Sequence, residues 1–540
     1  MEQHRAADAL VETLIANGLD TIYGLPGVHN DPLFDAFWQN RNRLRFLHAR
    51  HEQGGAYMAL GAALATGKPQ AFAVVPGPGF LNAGAALLTA YGMNAPVMAL
   101  VGQIPNDAID RGLGQLHEIH DQVGLGRHIT KFAARIGAPH EAAQLTHAAL
   151  SAALSGCQRP VMLECALDIW GKPTPKQAPL IADRVLPPVD EDAAEAMAKI
   201  LGSAKKPLIV LGGGAQDASA EILALAEMIE APVMGYRRGQ GVVSARNRLS
   251  VKMPVAHKLW RDADVVLGIG TRLLTGQNEW GLDKDLKVLR IDIDPQEPNR
   301  FARAAASLVA DAAEGVRAVL ARLPKHLSKR DNRDEEIGRH KAAYDAQIGK
   351  LEPQLSFVRA MRNALPDDGI LVDEVTQIGF ASRLAFPVYA PRTFLSPGYQ
   401  DNLGWGYGTA LGVQAAMPDR AVLSIAGDGG FMYQVQELAT AALHDLPVVV
   451  VVFDNSAFGN VKLLQKERFD SHFIACDLRN PDFCKLAESF GVASFRAGDG
   501  PELQTALEKV FALRKPALVH VPCGEMPSPW PMIHMGRARP

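Results

Sequence analysis

Cysteine is scarce in this chain of 540 residues: there are five, at Cys157, Cys165, Cys476, Cys484 and Cys523. Their number is odd and no two form a C-x-x-C pair, so neither a disulfide framework nor a structural zinc site is expected, and a reducing, cytoplasmic setting is. Basic charge is not in excess either. Lys and Arg total 55 against 58 Asp and Glu, a net charge of −3, which leaves no surplus of cations for a nucleic-acid backbone or an anionic membrane surface. Long apolar runs are missing as well. No stretch reaches the roughly 18 apolar residues of a membrane span; the longest candidates are the Ala-rich segment after Glu52 and the run Pro447 to Phe453. The opening MEQHRAADALVETLIANG has no charged start followed by an apolar core, and reads as an ordinary first helix rather than a signal peptide.

What is present is globular composition, 48% hydrophobic and 21% charged, in a chain long enough for three or four domains at roughly 150 residues each. Two stretches punctuate it. Five prolines fall between Pro173 and Pro188, which reads as an extended linker; Lys325 to Lys350 is dominated by charge, which reads as exposed helix or connector. The cuts predict blocks 1–172, 189–324 and 351–525 and a tail, 526–540. Each block alternates β-type apolar runs, ended by glycine, with Ala-rich helical stretches, the pattern of parallel sheets covered by helices. The predicted class is therefore α/β, three doubly wound parallel-sheet domains. The first and third blocks also share a spacing: PGPGF precedes Pro96 and GDGGF precedes Pro447, with sixteen positions from Phe to Pro in both. Two copies of one sheet fold are expected.

The third block carries the strongest chemical signal. Gly427-Asp428-Gly429 ends a predicted strand and opens a helix, and 25 residues separate Gly429 from Asn455 at the end of the next strand. Adjacent parallel strands would bring Asp428 and Asn455 to one point. A carboxylate, an amide oxygen and a main-chain carbonyl suit a hard cation such as Mg²⁺, and the glycines let backbone N–H groups approach a phosphate at a helix N-terminus.

Here the chain resembles the thiamine-diphosphate (ThDP) enzymes, through GDGGF, VVVVVFDN and SAFGN. It departs from the frequent Asn-Asn of that family by Asp454-Asn455. The resemblance implies Asp428, Asn455 and the Ala457 carbonyl as Mg²⁺ ligands. It also implies Gly427, Gly429, Gly430, Phe458, Gly459 and the segment Val375-Thr376-Gln377 around ThDP. In that family a carboxylic acid on the pyrimidine side promotes formation of the reactive carbanion of the cofactor, and the match of Arg50-His51-Glu52 to its Arg-His-Glu phrase implies Glu52 in the first block. The likeness runs over nearly the whole chain, in the order pyrimidine-binding, central and diphosphate-binding domain. GLPGVHND, PGPGFLNAG (with Pro78 and Asn82 as cofactor contacts), KPLIVLGGGA, ADVVLGIGTRL and IDIDP are similar to the acetolactate synthase and pyruvate oxidase branch. GYQDNLGWGYGTALGVQ looks closest to benzaldehyde lyase. Leu403 stands where relatives wedge the cofactor, and could equally be a core leucine.

On the substrate side, His29 stands where benzaldehyde lyase has a proton-transfer histidine. Gln115-Leu116-His117-Glu118 replaces a Phe-Gln-Glu stretch, so either His117 or Glu118 could face the cofactor. Trp530 and Met532 lie in a tail that covers the cavity in relatives, or pack on the surface. Gly212 to Gly214 invite a dinucleotide reading, but the flavin phrases of acetolactate synthases are missing. FAD is therefore doubtful, and the central domain is expected to be structural. The reading is a ThDP- and Mg²⁺-dependent lyase or carboligase of small carbonyl substrates, acetolactate-synthase-like. Its alternatives are acyloin cleavage, simple 2-oxo acid decarboxylation, a catalytically silent ThDP-binding subunit, and a nicotinamide or flavin oxidoreductase. No nucleic-acid or membrane partner is expected, and a homodimer or homotetramer is, with active sites between subunits.

Overall fold

The computed structural model describes residues 4–540. Three six-stranded sheets account for the fold, and every strand pair in them is parallel. The first contains β1 (Thr21–Gly24), β2 (Arg45–His48), β3 (Gln70–Val74), β4 (Val97–Gln103), β5 (Phe132–Ile136) and β6 (Val161–Ala166), in the order 2-1-3-4-6-5. The second contains β7 (Pro207–Leu211), β8 (Val233–Gly235), β9 (Ser250–Val251), β10 (Val265–Ile269), β11 (Lys287–Asp292) and β12 (Ala306–Val309), in the order 12-11-10-7-8-9. The third contains β13 (Ile370–Val372), β14 (Phe394–Leu395), β15 (Val422–Gly427), β16 (Val449–Asp454), β17 (Ala493–Arg496) and β18 (Ala517–Pro522), in the order 14-13-15-16-18-17. Counted from its own first strand, the third sheet repeats the order of the first, whereas the central sheet has the order 3-2-1-4-5-6 of dinucleotide-type folds.

Such strands are buried on both faces, which is why they read as continuous apolar runs; β16, VVVVFD, is buried from Val449 to Phe453. The first and third sheets share one core, running from Tyr23 and Leu47 through Phe72 and Val101 to Trp405, Val452 and Leu518. Two helices lie between them, Glu52–Thr66 and Gly406–Ala416, buried almost all round because protein covers every side. They cross at backbone contact. A Cβ on Gly61 would overlap the Thr409 carbonyl oxygen, and one on Gly412 the Met58 carbonyl oxygen. The glycines are thus the condition for bringing the two sheets together.

From Pro175 to Val189 the chain forms neither helix nor strand. The charged stretch before Lys350 folds as a helix, Asp334–Ile348, with one buried face, since Ile337, Tyr344 and Ile348 join the central core. The C-terminal tail returns to the central domain. Arg539, 7% exposed, donates to the Trp260 and Ala263 carbonyls and to Asp283. Among the described residues no helix is long and apolar enough to cross a membrane.

Candidate active site

In the third domain, β15 and β16 pair with Gly427 opposite Phe453. That register sets the turn after β15, a short helix Asp428–Phe431, beside the turn after β16. Asp428 is 2% exposed and its one side-chain partner is an amide: Asn480 Nδ2 donates to Asp428 Oδ2 at 2.7 Å and to Asp454 Oδ1 at 2.8 Å. Burial, together with the neighbouring Asp454 charge, pushes the Asp428 carboxyl up, and the Asn480 hydrogen bond only partly offsets this. Asp454 is held low. Burial opposes its charge, but donors from Ser456 N–H, Asn480 and His520 outweigh that, with His520 Nε2 at 3.0 Å.

The turn at 455–458 is fixed by a second segment. Phe458 N–H donates to the Cys476 carbonyl and Leu478 N–H to the Ser456 carbonyl, both at 2.8 Å. Asn455 is folded beneath Gly459, where a Cβ would overlap its amide. Asp428, Asn455 and the Ala457 carbonyl therefore belong to two adjacent turns. A buried carboxylate with no cationic partner on one turn, with an amide and a carbonyl on the next, supplies oxygen donors of the kind that fit Mg²⁺.

The cradle around this point is lined by the remaining residues of the motif. A Cβ on Gly429 would meet the Phe458 ring at 2.6 Å, and one on Gly430 the Glu374 carboxyl at 3.1 Å. Glycine at both positions is thus what admits Phe458 and Glu374 against the turn. Thr376 caps the helix Gln377–Ala385 and packs its methyl group against Gly427; Gln377 Oε1 is buried without a partner. Leu403 is half-buried, outside the hydrophobic core, just before the Gly404 turn. That turn is clamped by Glu374, whose Oε1 accepts the Gly404 N–H at 2.6 Å. Burial pushes the Glu374 carboxyl up to about 8.

In the first domain Glu52 is the first residue of its helix, after N-cap His51. Asn82 Nδ2 donates to Glu52 Oε2 at 3.0 Å, and Gly79 leaves room beside Oε1. Pro78 starts the short helix that carries Asn82. His29 is buried in the turn Val28–Asn30; its Nε2 lies 3.0 Å from the Leu116 carbonyl and its ring stacks on His117 with centroids 5.2 Å apart. Burial, with the neighbouring imidazole, pushes His29 down. Of the two residues left open by the sequence, His117 lies in this cluster, with its carbonyl against Gly77. Glu118 turns back on its own loop, accepting from Leu113 N–H and Gln115 N–H.

Three site-lining groups escaped the sequence reading: Asn480, Glu374 and Glu437. Asn480 lies in a loop without periodicity and left no signal. Glu374 directly precedes Val375-Thr376-Gln377, and Glu437 lies on the segment that begins at Asp428, so contiguity was their only mark. Trp530 Nε1 donates to Asn460 Oδ1 at 3.0 Å, beside Gly459, whereas Met532 packs into the central core. In the central domain, Gly212 and Gly214 are required by the close approach of Gly270, since a Cβ on either would press on its backbone. The loop is used for packing. A cavity of about 600 Å³ opens beyond it, lined by Gly213, Arg238, Lys252, Asp292 and Arg383 among others.

Two like sheets, one with an acid at a helix start and the other with an Asp–glycine turn between parallel strands, place the chain in the class of α/β proteins built from paired parallel-sheet domains. Comparison with known proteins specifies it. Residues 4–125 match the N-terminal TPP binding domain of thiamine pyrophosphate enzymes, 194–319 the central domain and 374–521 the C-terminal TPP binding domain. The probable 2-ketoarginine decarboxylase AruI of Pseudomonas aeruginosa is 31% identical over 516 residues, 94% of this chain and 92% of that protein. A probable acetolactate synthase large subunit of Methanocaldococcus jannaschii is 31% identical over 547 residues, covering 96% and 91%. The acetolactate synthase isozyme 1 large subunit of Escherichia coli is 27% identical over 549 residues, covering 98% and 96%. The chain belongs to the thiamine pyrophosphate enzyme family, on its acetolactate synthase branch.

Proposed function

We propose that the protein is a ThDP- and Mg²⁺-dependent carbon–carbon lyase or carboligase acting on 2-oxo acids or 2-hydroxy ketones, acetolactate-synthase-like in its chemistry. The observation that carries this is the register of β15 and β16, which sets Asp428 and Asn455 on neighbouring turns at the ends of adjacent parallel strands. When bound, ThDP supplies a nucleophilic carbon and an electron sink for cleavage beside a carbonyl. In this reading Asp428, Asn455 and the Ala457 carbonyl hold the metal, and backbone N–H groups of the Gly429-Gly430 turn hold the diphosphate. Pro78 and Asn82 wall the pyrimidine side, and Glu52 exchanges a proton with the pyrimidine. His29 and His117, stacked and partly buried, move a proton to or from the substrate oxygen.

The hydrogen bond that Glu52 accepts comes from its own domain, from Asn82. Exposed apolar residues flank both half-sites, Leu81 beside Asn82 and Met432 and Tyr433 beside the Asp428 helix. These support a homodimer, or a homotetramer of two dimers, in which a second copy completes each site. A cytoplasmic setting is part of the proposal, supported by five free cysteines.

A second reading, 2-oxo acid decarboxylation without coupling, is favoured by the likeness to the 2-ketoarginine decarboxylase. One screen separates the two. The protein, loaded with ThDP and Mg²⁺, is given 2-oxo acids of graded size and charge and a set of 2-hydroxy ketones, and is scored for CO₂, for coupled product and for released aldehyde. Coupled acyloin or acetohydroxy acid, or cleavage of a 2-hydroxy ketone to aldehyde, supports the lyase or carboligase; CO₂ with free aldehyde from a 2-oxo acid supports the decarboxylase; none of these from any substrate removes both.

A further inference from the structure

Glu437 is fully buried in the diphosphate-binding domain, yet its hydrogen bonds reach into the pyrimidine-binding domain. Its two oxygens accept the backbone N–H groups of the residues that precede Glu52: Arg50 N–H donates to Oε2 and His51 N–H to Oε1, each at 3.1 Å. Thr440 Oγ1 donates to Oε2 at 2.6 Å. All these partners donate, so the ionised carboxylate satisfies every one, against a burial that pushes the Glu437 carboxyl up. The carboxylate also lies over the first turn of the helix Glu52–Thr66. A Cβ on Gly54 would overlap Oε1, so glycine at 54 is what admits it. A negative group there is favoured by the helix dipole.

We propose that Glu437 is a positioning residue for Glu52: it fixes the backbone of the Arg50-His51-Glu52 turn from the neighbouring domain, and so sets where the acid meets the cofactor. The grip is bidentate on two consecutive amides, which constrains the orientation of the turn as well as its position. Glu437 lies nine positions after Asp428, so a short stretch of chain and two hydrogen bonds link the turn assigned to the metal to the turn that bears the acid. The inference rests on the ThDP reading above.

The test reads the proton at C2 of bound ThDP, by NMR of acid-quenched samples after transfer to D₂O. E437Q keeps size and shape but sets an amide NH₂ against one of two backbone donors; T440V removes one hydroxyl donor and is the milder change. Expected are ThDP and Mg²⁺ affinities within about threefold of wild type, with exchange slowed about ten- to a hundredfold in E437Q, the scale of a small misplacement of a catalytic group. About two- to fivefold slowing is expected in T440V, the loss of one ordinary hydrogen bond. Should E437Q fail to fold, T440V carries the test. Wild-type exchange rates in both variants, or slowing that merely tracks the unfolded fraction, overturn the role of Glu437 alone. A wild-type protein that neither binds ThDP nor exchanges its C2 proton removes the functional reading, and this inference with it.

Discussion

Glu52 is the residue on which the proposed chemistry turns, and its surroundings make the expectation for its removal sharp. Its side chain has a hydrogen bond from Asn82 and little else, so E52Q should leave the fold intact and bind ThDP and Mg²⁺ as before. Turnover should fall by about two to four orders of magnitude, the range for loss of a general acid or base. Undiminished turnover removes Glu52 from the mechanism. Glu374 makes a different prediction, about pH. Its folded value, about 8, lies above the ordinary 4.5, so between those values the folded protein holds a proton that the unfolded chain has released. Stability from this group is therefore full below about 4.5 and is lost as pH rises toward 8. E374Q removes that slope, so its melting temperature relative to wild type should climb steadily from pH 5 to pH 8.5, by the equivalent of a few kcal/mol, at roughly 1.4 kcal/mol for each tenfold change in proton affinity. A difference that does not change with pH rules out Glu374 as the source.

Among the elements, the crossing of the helices Glu52–Thr66 and Gly406–Ala416 is what sets the spacing of the outer domains. Alanine is normally the better helix residue, yet at Gly412 its methyl would collide with the Met58 carbonyl oxygen. G412A should thus destabilise by about 1–3 kcal/mol, the cost of overpacking. G338A is the control: Gly338 lies exposed in the helix Asp334–Ile348 with nothing near its missing Cβ, and there the substitution should stabilise by about 0.4–1 kcal/mol. Thermal or denaturant melts of the two variants check both signs. Elements are also the scale at which the sequence was most legible. Continuous runs such as VVVVVF announce strands buried on both faces, and the repeated sixteen-residue spacing anticipated a strand order that the first and third sheets share. Motif residues with fixed spacing, Asp428 and Asn455 above all, were legible for the same reason: they sit at strand ends. Asn480, Glu374 and Glu437 were not, because tertiary packing alone brings them to the site. Linear spacing likewise left His117 and Glu118 undecided, since the loop that carries them follows neither helical nor strand periodicity.

For the whole molecule, the question is which Glu52 serves which Asp428. The two lie on different sheets, joined in one chain by the shared core and by the Glu437 grip, and the Glu52 side chain bonds within its own domain only. If a two-fold dimer completes each site from both copies, a chain damaged in one half can be rescued by a chain damaged in the other. E52Q and D428A should each be inactive alone. In a mixed dimer, the site that takes Glu52 from the D428A chain and Asp428 from the E52Q chain is whole, while the other is doubly damaged. Random pairing puts half the dimers in the mixed form with one good site of two, so co-expression should restore about a quarter of wild-type activity, given closed two-fold symmetry. A site built within one chain gives no rescue at any ratio, and that outcome would place the catalytic acid and the metal of each centre on the same subunit.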